Sequence, residues 1–408
     1  METIISIDRD KAPSEQHEPV IMNRWHPDIP MAKYVTPEEP FRVECMDWTG
    51  GQMKNDDSAN DVRDVDLDPC HHLSGPIGVR GAEPGDLLEV DILDIGPFED
   101  TAWGYTGIWR KDKAWGFLDD YFEKTAKCIW DFNGIWATSR HIPHLRFAGL
   151  THPGIIGCLP SRELLDEWNR READLIQNGP EHDTPLALPP EPRGVMLGKM
   201  SGSDLEAAGK EAARTIPPRE NGGNCDIKNL CRGSKCFLPV YVKDAGLAVG
   251  DLHFSQGDGE ITFCGAIEMP GWIKLNVRLI KDGCNKYGVH QSMFQPGPVD
   301  PDYSEFLVFE GISVDEDTGK QHYLDVTLAY KRACRNAIYY LSKFGYTGEQ
   351  IYTMISCAPI EGHISSVVDI PNACVALQIP TSMFDFDIRP NADGPVRQVE
   401  PSDLAFTT

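Results

Sequence analysis

Residues 250–260 (Gly-Asp-Leu-His-Phe-Ser-Gln-Gly-Asp-Gly-Glu) hold the densest set of groups able to do chemistry in this chain. His253 offers a nitrogen ligand, and Asp258 and Glu260 lie two positions apart. In extended backbone, residues two apart point to the same side, so both carboxylates are expected to face one cavity. Gly257 and Gly259 flank Asp258 and would let a substrate or metal approach the main chain. A polar hairpin loop in which Asp-Gly makes the turn is the competing reading.

Three further clusters carry similar groups. In residues 221–230, Gly222 and Gly223 lead into Asn224 and Asp226, again two apart; taken alone, this is a loop using Asn and Gly for turn geometry. In residues 71–76, His71 and His72 precede Ser74-Gly75-Pro76. Adjacent histidines on a strand face opposite sides, so at most one of them points into a site. Glu44 follows Phe41-Arg42-Val43, a strand by composition, and an acid at a strand end is a candidate general base. A surface carboxylate is the commoner case. Pooled, these regions supply ligands suited to zinc or a similar divalent ion. Cys225, Cys231 and Cys236 are not arranged as the two Cys-x2–4-Cys pairs of a zinc finger. The chain has no Walker loop, no Rossmann glycine fingerprint and no Gly-x-Ser-x-Gly elbow. Hydrolysis or a small-ligand site remains.

The elements that must position these groups are mostly strands. Pro84-Gly85-Asp86 reads as a turn, after which Leu88, Val90 and Ile92 alternate with Glu89 and Asp91. A second β region begins near Phe237. Within it Ile273, Leu275, Val277 and Leu279 alternate with Lys274, Asn276 and Arg278, and the period breaks only at Ile280. Residues 161–178 have the pattern of an amphipathic helix capped by Ser161. A proline-rich stretch follows, and residues 161–215 read as a surface excursion: a lid, an oligomer contact or a plain solvated insertion. Helices are expected at 322–344 and, from the Thr347–Gln350 capping box, at 348–356. Residues 372–379 read as a closing strand ended by Pro380. Gly81-x3-Gly85-Asp86-Leu87 recurs as Gly246-x3-Gly250-Asp251-Leu252, which makes Asp251 a turn residue by analogy with Asp86. The expected organisation is an N-terminal β lobe (1–115), a middle region with a helical, proline-rich insertion (116–215) and a C-terminal β lobe (216–408).

With 38 Lys+Arg against 63 Asp+Glu in 408 residues, the formal charge is −25. Such a chain repels phosphate backbones and anionic bilayers, so neither nucleic acid nor membrane is an expected partner. No run of 18 apolar residues occurs and the first residues do not read as a secretory signal. Twelve cysteines in so long a chain read as reduced, mostly buried thiols, in keeping with the cytoplasm.

Phe-Arg-Val-Glu-Cys-Met-Asp (41–47), Ser-Gly-Pro (74–76) with Gly-Ala-Glu-Pro-Gly-Asp (81–86), Gly-Gly-Asn-Cys-Asp (222–226) and Gly-Asp-Leu-His…Gly-Asp-Gly-Glu (250–260) occur in this order. In this the chain resembles the acetamidase/formamidase family over about residues 40–375. The resemblance implies a mainly β fold with a few helices and jelly-roll-like β lobes, a homo-oligomer, and a metal at the site. It implies hydrolysis of a short amide to a carboxylate and ammonia. The chain is similar to the longer formamidase branch, since short members lack much of 116–215, and formamide is the expected substrate. Some short members have a histidine where this chain has Asn221 before Gly-Gly-Asn.

On that basis Asp226, His253 and Glu260 are the expected metal ligands, and Glu44 or Asp258 the base that takes the water proton. His71, Ser74, Gly75 and Asn224 are the expected substrate contacts, with main-chain N–H groups of 74–76 or 222–224 holding the oxyanion. The alternatives are a related amidase for acetamide or a small lactam, and a non-catalytic β-sandwich that binds a small ligand.

Overall fold

The computed structural model describes residues 1–110, 116–179, 191–297, 305–392 and 394–408. The chain is mainly β with a few helices. One sheet has six strands in the order Glu2–Ile5, Phe41–Cys45, Gly271–Ile280, Leu87–Pro97, Lys235–Pro239, Met293–Gln295. The strand Gly271–Ile280 alternates buried and half-buried residues from Gly271 to Arg278, so its apolar side lies against the core and Lys274, Asn276 and Arg278 face outward. It pairs antiparallel with both neighbours. Strands from 1–115 and from 216–408 pair with one another in this sheet, at Phe41–Cys45 with Gly271–Ile280 and at Leu87–Pro97 with both Gly271–Ile280 and Lys235–Pro239.

The second, larger sheet runs from Arg146–Ala148 through Trp136–Ser139, Ala126–Asn133, Trp103–Ile108, Phe263–Met269 and Leu247–His253 to His152–Gly157 and Gly222–Asn224. Its central strand Leu247–His253 is buried at every residue and also pairs with Leu73–Val79. Val43, Val90, Ile273 and Leu275 of the first sheet share one apolar core with Ile77, Val249, Leu252 and Ile267 of the second. Full burial of each such side chain contributes roughly 1.5–3 kcal/mol.

The helix Arg162–Asn178 starts where expected, with Ser161 Oγ accepting the Leu164 N–H. It is anchored and not merely draped: Leu165 and Trp168 pack with Trp25, Leu73 and Ile155, and Trp168 Nε1 donates to Glu220 at 2.7 Å. The proline-rich stretch falls largely outside the described residues, at 180–190. The helix Val326–Leu341 is shorter than the expected 322–344 because Asp325 caps it and Ser342–Phe344 tightens to 3-10 geometry. Gly348–Cys357 carries the Thr347–Gln350 capping box and is buried from Gln350 to Cys357. The closing strand is Cys374–Pro380. Among the described residues no helix is long and apolar enough to cross a membrane. All twelve cysteines are free, nine of them buried.

Candidate active site

Across the large sheet, pairing sets His152 opposite His253, His253 opposite Glu268, and Glu268 opposite Tyr105, forming one rank over four strands. Asp251 lies two residues before His253. Its left-handed backbone (φ 54°) interrupts the strand, and its carboxylate Oδ1 comes to 3.4 Å from His253 Nε2. Asp226 leaves the strand Gly222–Asn224 with its N–H bound to Gly154 O at 3.3 Å. Glu260 arrives on a loop pinned by the buried helix: Thr262 N–H donates to Ser356 Oγ, Gly257 N–H to Ser356 O, and Tyr352 Oη–H to Ile261 O.

These groups form two overlapping clusters, Asp226–His253–Glu260 and Asp251–His253–Glu268, in each of which the ligand atoms lie within 4.8 Å of one another. Glu268 Oε2 is 3.1 Å from His253 Nε2, yet without hydrogen-bond geometry. Asp226 Oδ1, His253 Nε2 and Glu268 Oε2 are all buried without a hydrogen-bond partner. Such atoms are costly to leave bare, and three of them in one buried cluster mark a place where something else belongs. Gly154 leaves room for it: a Cβ there would lie 2.6 Å from Asp251 Oδ2 and 2.8 Å from Asp226 Oδ1. Carboxylate oxygens with one imidazole nitrogen fit a hard or borderline divalent cation.

The electrostatics agree. Burial, reinforced by Asp251, pushes the Asp226 carboxyl up to about 7, and burial does the same for Glu268, also up to about 7. Burial and then Asp226 hold Glu260 well above the usual carboxylate range. Burial opposes a charge on His253, but Glu268 and Asp251 override it and raise its pKa well above normal. Burial also opposes charge on Asp251, yet His253 and His71 pull its pKa below normal. Crowded, buried carboxyls of this kind favour either protonation or a neighbouring positive charge.

His71 sits at the margin, with Nε2 4.0 Å from Asp251 Oδ2. Thr215 Oγ1 accepts the His71 backbone N–H at 2.8 Å and lies 3.1 Å from Nδ1. A hydroxyl that donates to Nδ1 leaves the imidazole proton on Nε2, facing the cluster. Burial lowers the His71 pKa, which keeps the ring neutral.

Other expected residues lie elsewhere. Asp258 does not share a cavity face with Glu260; its Oδ1 is 2.5 Å from Lys228 Nζ and its Oδ2 accepts the Gly362 N–H. It groups instead with Glu361 and His363, beside the same Lys228. Gly257 serves packing and not ligand approach, since a Cβ there would lie 2.2 Å from Ile355 O. Glu44 turns away from the cluster, accepting the Ile7 N–H at 3.0 Å and pairing with Arg42 at 2.6 Å. Glu44→Gln should accordingly keep amide turnover within about twofold of wild type and cost no more than ~1 kcal/mol of stability. A steady-state assay showing a hundredfold loss would return Glu44 to the catalytic set.

Ser74 Oγ donates to Glu44 O at 2.6 Å, Gly75 N–H donates to Val20 O, and Pro76 has no N–H, so the 74–76 segment has little left for an oxyanion. Asn224 Nδ2 donates to Ile216 O, while its Oδ1 is buried without a hydrogen-bond partner. Asp251 is not the turn residue that the echo with Asp86 implies. Asp86 does sit in a turn, accepting the Glu83 N–H, whereas Asp251 lies inside Leu247–His253. Glu268 escaped sequence reasoning altogether. A signal was present: one acid in the apolar run Cys-Gly-Ala-Ile-Glu-Met, where burial is costly unless the charge is used. Glu268 also lines a cavity of about 370 Å³ with Asp47, Trp103 and Tyr105.

Residues 6–386 match the model of a family described as Acetamidase/Formamidase. The chain is 61% identical to the formamidase of Methylophilus methylotrophus over 409 residues, covering all of both chains. It is 56% identical to the acetamidase of Mycolicibacterium smegmatis over 369 residues, 88% of this chain and 91% of that one. A solved gamma lactamase from Delftia acidovorans is 55% identical, with a TM-score of 0.96 and full coverage of both chains.

Proposed function

Since the chain belongs to the acetamidase/formamidase family and is a hydrolase of amide C–N bonds, we propose that its substrate is formamide, converted with water to formate and ammonia at the His253 cluster. The observation that supports this site most is that three buried, unpartnered ligand atoms fall within the two overlapping clusters that share His253. Asp226, His253 and Glu260 would hold a divalent cation, with zinc favoured by the mixed nitrogen and oxygen donors. Such an ion supplies a water of lowered pKa and polarises the amide oxygen.

The remaining work falls to side chains. Glu268, whose carboxyl is pushed up to about 7, lies between the cluster and the adjoining cavity. It takes the proton from the attacking water and hands it to the departing nitrogen, because ammonia leaves far better than an amide anion. Neutral His71 offers its Nε2–H to the carbonyl oxygen as negative charge builds there, in the role expected of the main-chain donors of 74–76. Glu268→Gln should lower kcat by about 10²–10⁴-fold. A variant of near wild-type kcat would remove Glu268 from proton transfer.

Ammonia release from formamide, acetamide and a γ-lactam, before and after chelation, tests the assignment. Release from formamide that stops on chelation and returns with zinc supports it in full. Release that survives chelation removes the cation. The gamma lactamase likeness makes a small lactam the second reading, and preference for it would displace formamide. One methyl group changes affinity in an apolar pocket by only ~1–3 kcal/mol, so acetamide is expected to be a poor substrate and not an inert one.

The same reading places the protein in the cytoplasm as a homo-oligomer. Twelve unpaired cysteines support a reducing compartment, and the exposed Phe306, Val308 and Ile312, on one face of the three-stranded sheet of Phe306–Ile312, Cys374–Pro380 and Glu361–Ser366, support a covered face. Light scattering that gave the mass of one chain would end the oligomer.

A further inference from the structure

Gln256 is 1% exposed and stands three residues after His253, behind the cluster and out of reach of a substrate. Its Nε2 donates to the Asp226 main-chain carbonyl at 2.6 Å, and its Oε1 lies 3.0 Å from His253 Nδ1. A carbonyl can only accept, so the amide has one orientation: nitrogen toward Asp226, oxygen toward the imidazole. His152 adds a second constraint. Its Nδ1 is 2.6 Å from Leu150 O and must carry the proton there, which leaves its Nε2 as an acceptor 3.3 Å from His253 Nδ1. His152 Nε2 also lies 3.0 Å from Gln256 Oε1, so the acceptor that fixes a proton on His253 Nδ1 is the Gln256 carbonyl oxygen. In the neutral ring that a cation requires, the lone pair is then on Nε2, the atom that lies unpartnered beside Glu268 and Asp251.

We propose that Gln256 is the positioning residue of this centre: a single side-chain amide selects the His253 tautomer that exposes Nε2 and ties the main chain of Asp226 to the same ring. The proposal rests on the metal reading above. Gln256 touches neither substrate nor cation; it sets the direction of two ligands supplied from different strands. An outer partner of this kind typically changes metal affinity by about 10–100-fold.

The test uses the full chain, Gln256→Met and Gln256→Glu, with zinc as the probe. Zinc affinity is read by competition with a chromophoric chelator, and the His253 ring by nitrogen NMR of histidine-labelled, zinc-loaded protein. Wild type should show zinc on Nε2 and a proton on Nδ1. Gln256→Met, which keeps length and loses both hydrogen bonds, should bind zinc about 10–100-fold more weakly and lose the slowly exchanging Nδ1–H signal, while its chelated form melts within a few degrees of chelated wild type. Gln256→Glu keeps the acceptor for His253 and loses the donor for Asp226, so it should retain the Nδ1–H signal and fall between the two in affinity. Gln256→Met with wild-type zinc affinity overturns the proposal alone. If that variant does not fold, Gln256→Glu decides, and loss of its Nδ1–H signal overturns the proposal. A wild-type chain that binds no zinc overturns the metal reading itself.

Discussion

Gly154→Ala should produce a folded protein that has lost both its cation and its amide turnover. The added methyl would sit 2.6 Å from Asp251 Oδ2, 2.6 Å from His253 Cε1 and 2.8 Å from Asp226 Oδ1, well inside contact distance of three groups at once. Two of the three residues are tied down. His253 is held at Nδ1 by Gln256, and Asp226 is held through its carbonyl by the same side chain. Gly154 does not have a left-handed backbone, so alanine meets no backbone penalty and the effect is steric at the centre itself. Overpacking costs about 1–3 kcal/mol of stability. Misplacing a reacting group by about 1 Å costs on the order of a hundredfold in rate, so kcat/KM should fall by at least that factor. Zinc content and turnover measured on the same preparation decide the matter. A variant with wild-type values in both would show that the chemistry happens elsewhere.

On the reading proposed above, removing the cation should destabilise the fold, and more so as the pH rises. Asp226 and Glu268 have ordinary carboxylate pKa values when unfolded and about 7 when folded without a cation. Between those values the folded state binds more protons than the unfolded state, so stability falls as pH increases through the window. His253 acts in the same direction above its unfolded value, because its folded pKa is raised. The buried His72 and His152, lowered to about 4 and about 3, act oppositely but only below the ordinary histidine range. Comparing pH 6.5 with pH 8 therefore leaves His72 and His152 out of the window. Each carboxyl contributes about 1 kcal/mol over that interval. The chelated protein should melt a few degrees lower at pH 8 than at pH 6.5, and zinc should raise the midpoint more at pH 8. Equal stabilisation by zinc at both pH values would mean that these carboxylates do not face the ion.

Most of the scaffold was legible in the sequence because it obeys local rules. Gly271–Ile280 follows the two-residue period, and Ser161 and the Thr347–Gln350 pair announce their helices through capping chemistry. Asp226, His253 and Glu260 were legible as candidate ligands because their motifs resemble those of a family, and the structure brings their side chains together. What escaped was long-range. Glu268 matters because strand register sets it against His253, and no local pattern encodes register between strands. Asp258 and Glu44 have the right chemistry for a base, but Lys228 and Arg42 already engage them. Asp251 departs from the turn implied by the Gly-x3-Gly-Asp-Leu echo, because four shared residues in seven do not fix a place in the fold.

The rank His152–His253–Glu268–Tyr105 has a consequence for how the protein comes into being. Its members meet across four strands, and His152 and His253 are 101 positions apart in the chain. Contacts of such sequence separation form late, after the loop-closure entropy between them has been overcome. A half-assembled chain therefore has no partial version of the centre, only scattered carboxylates and imidazoles. During refolding from denaturant, turnover should return after the strand signal in circular dichroism, and it should return all at once. The catalytic centre thus records whether the last long-range pairings of the sheet have closed.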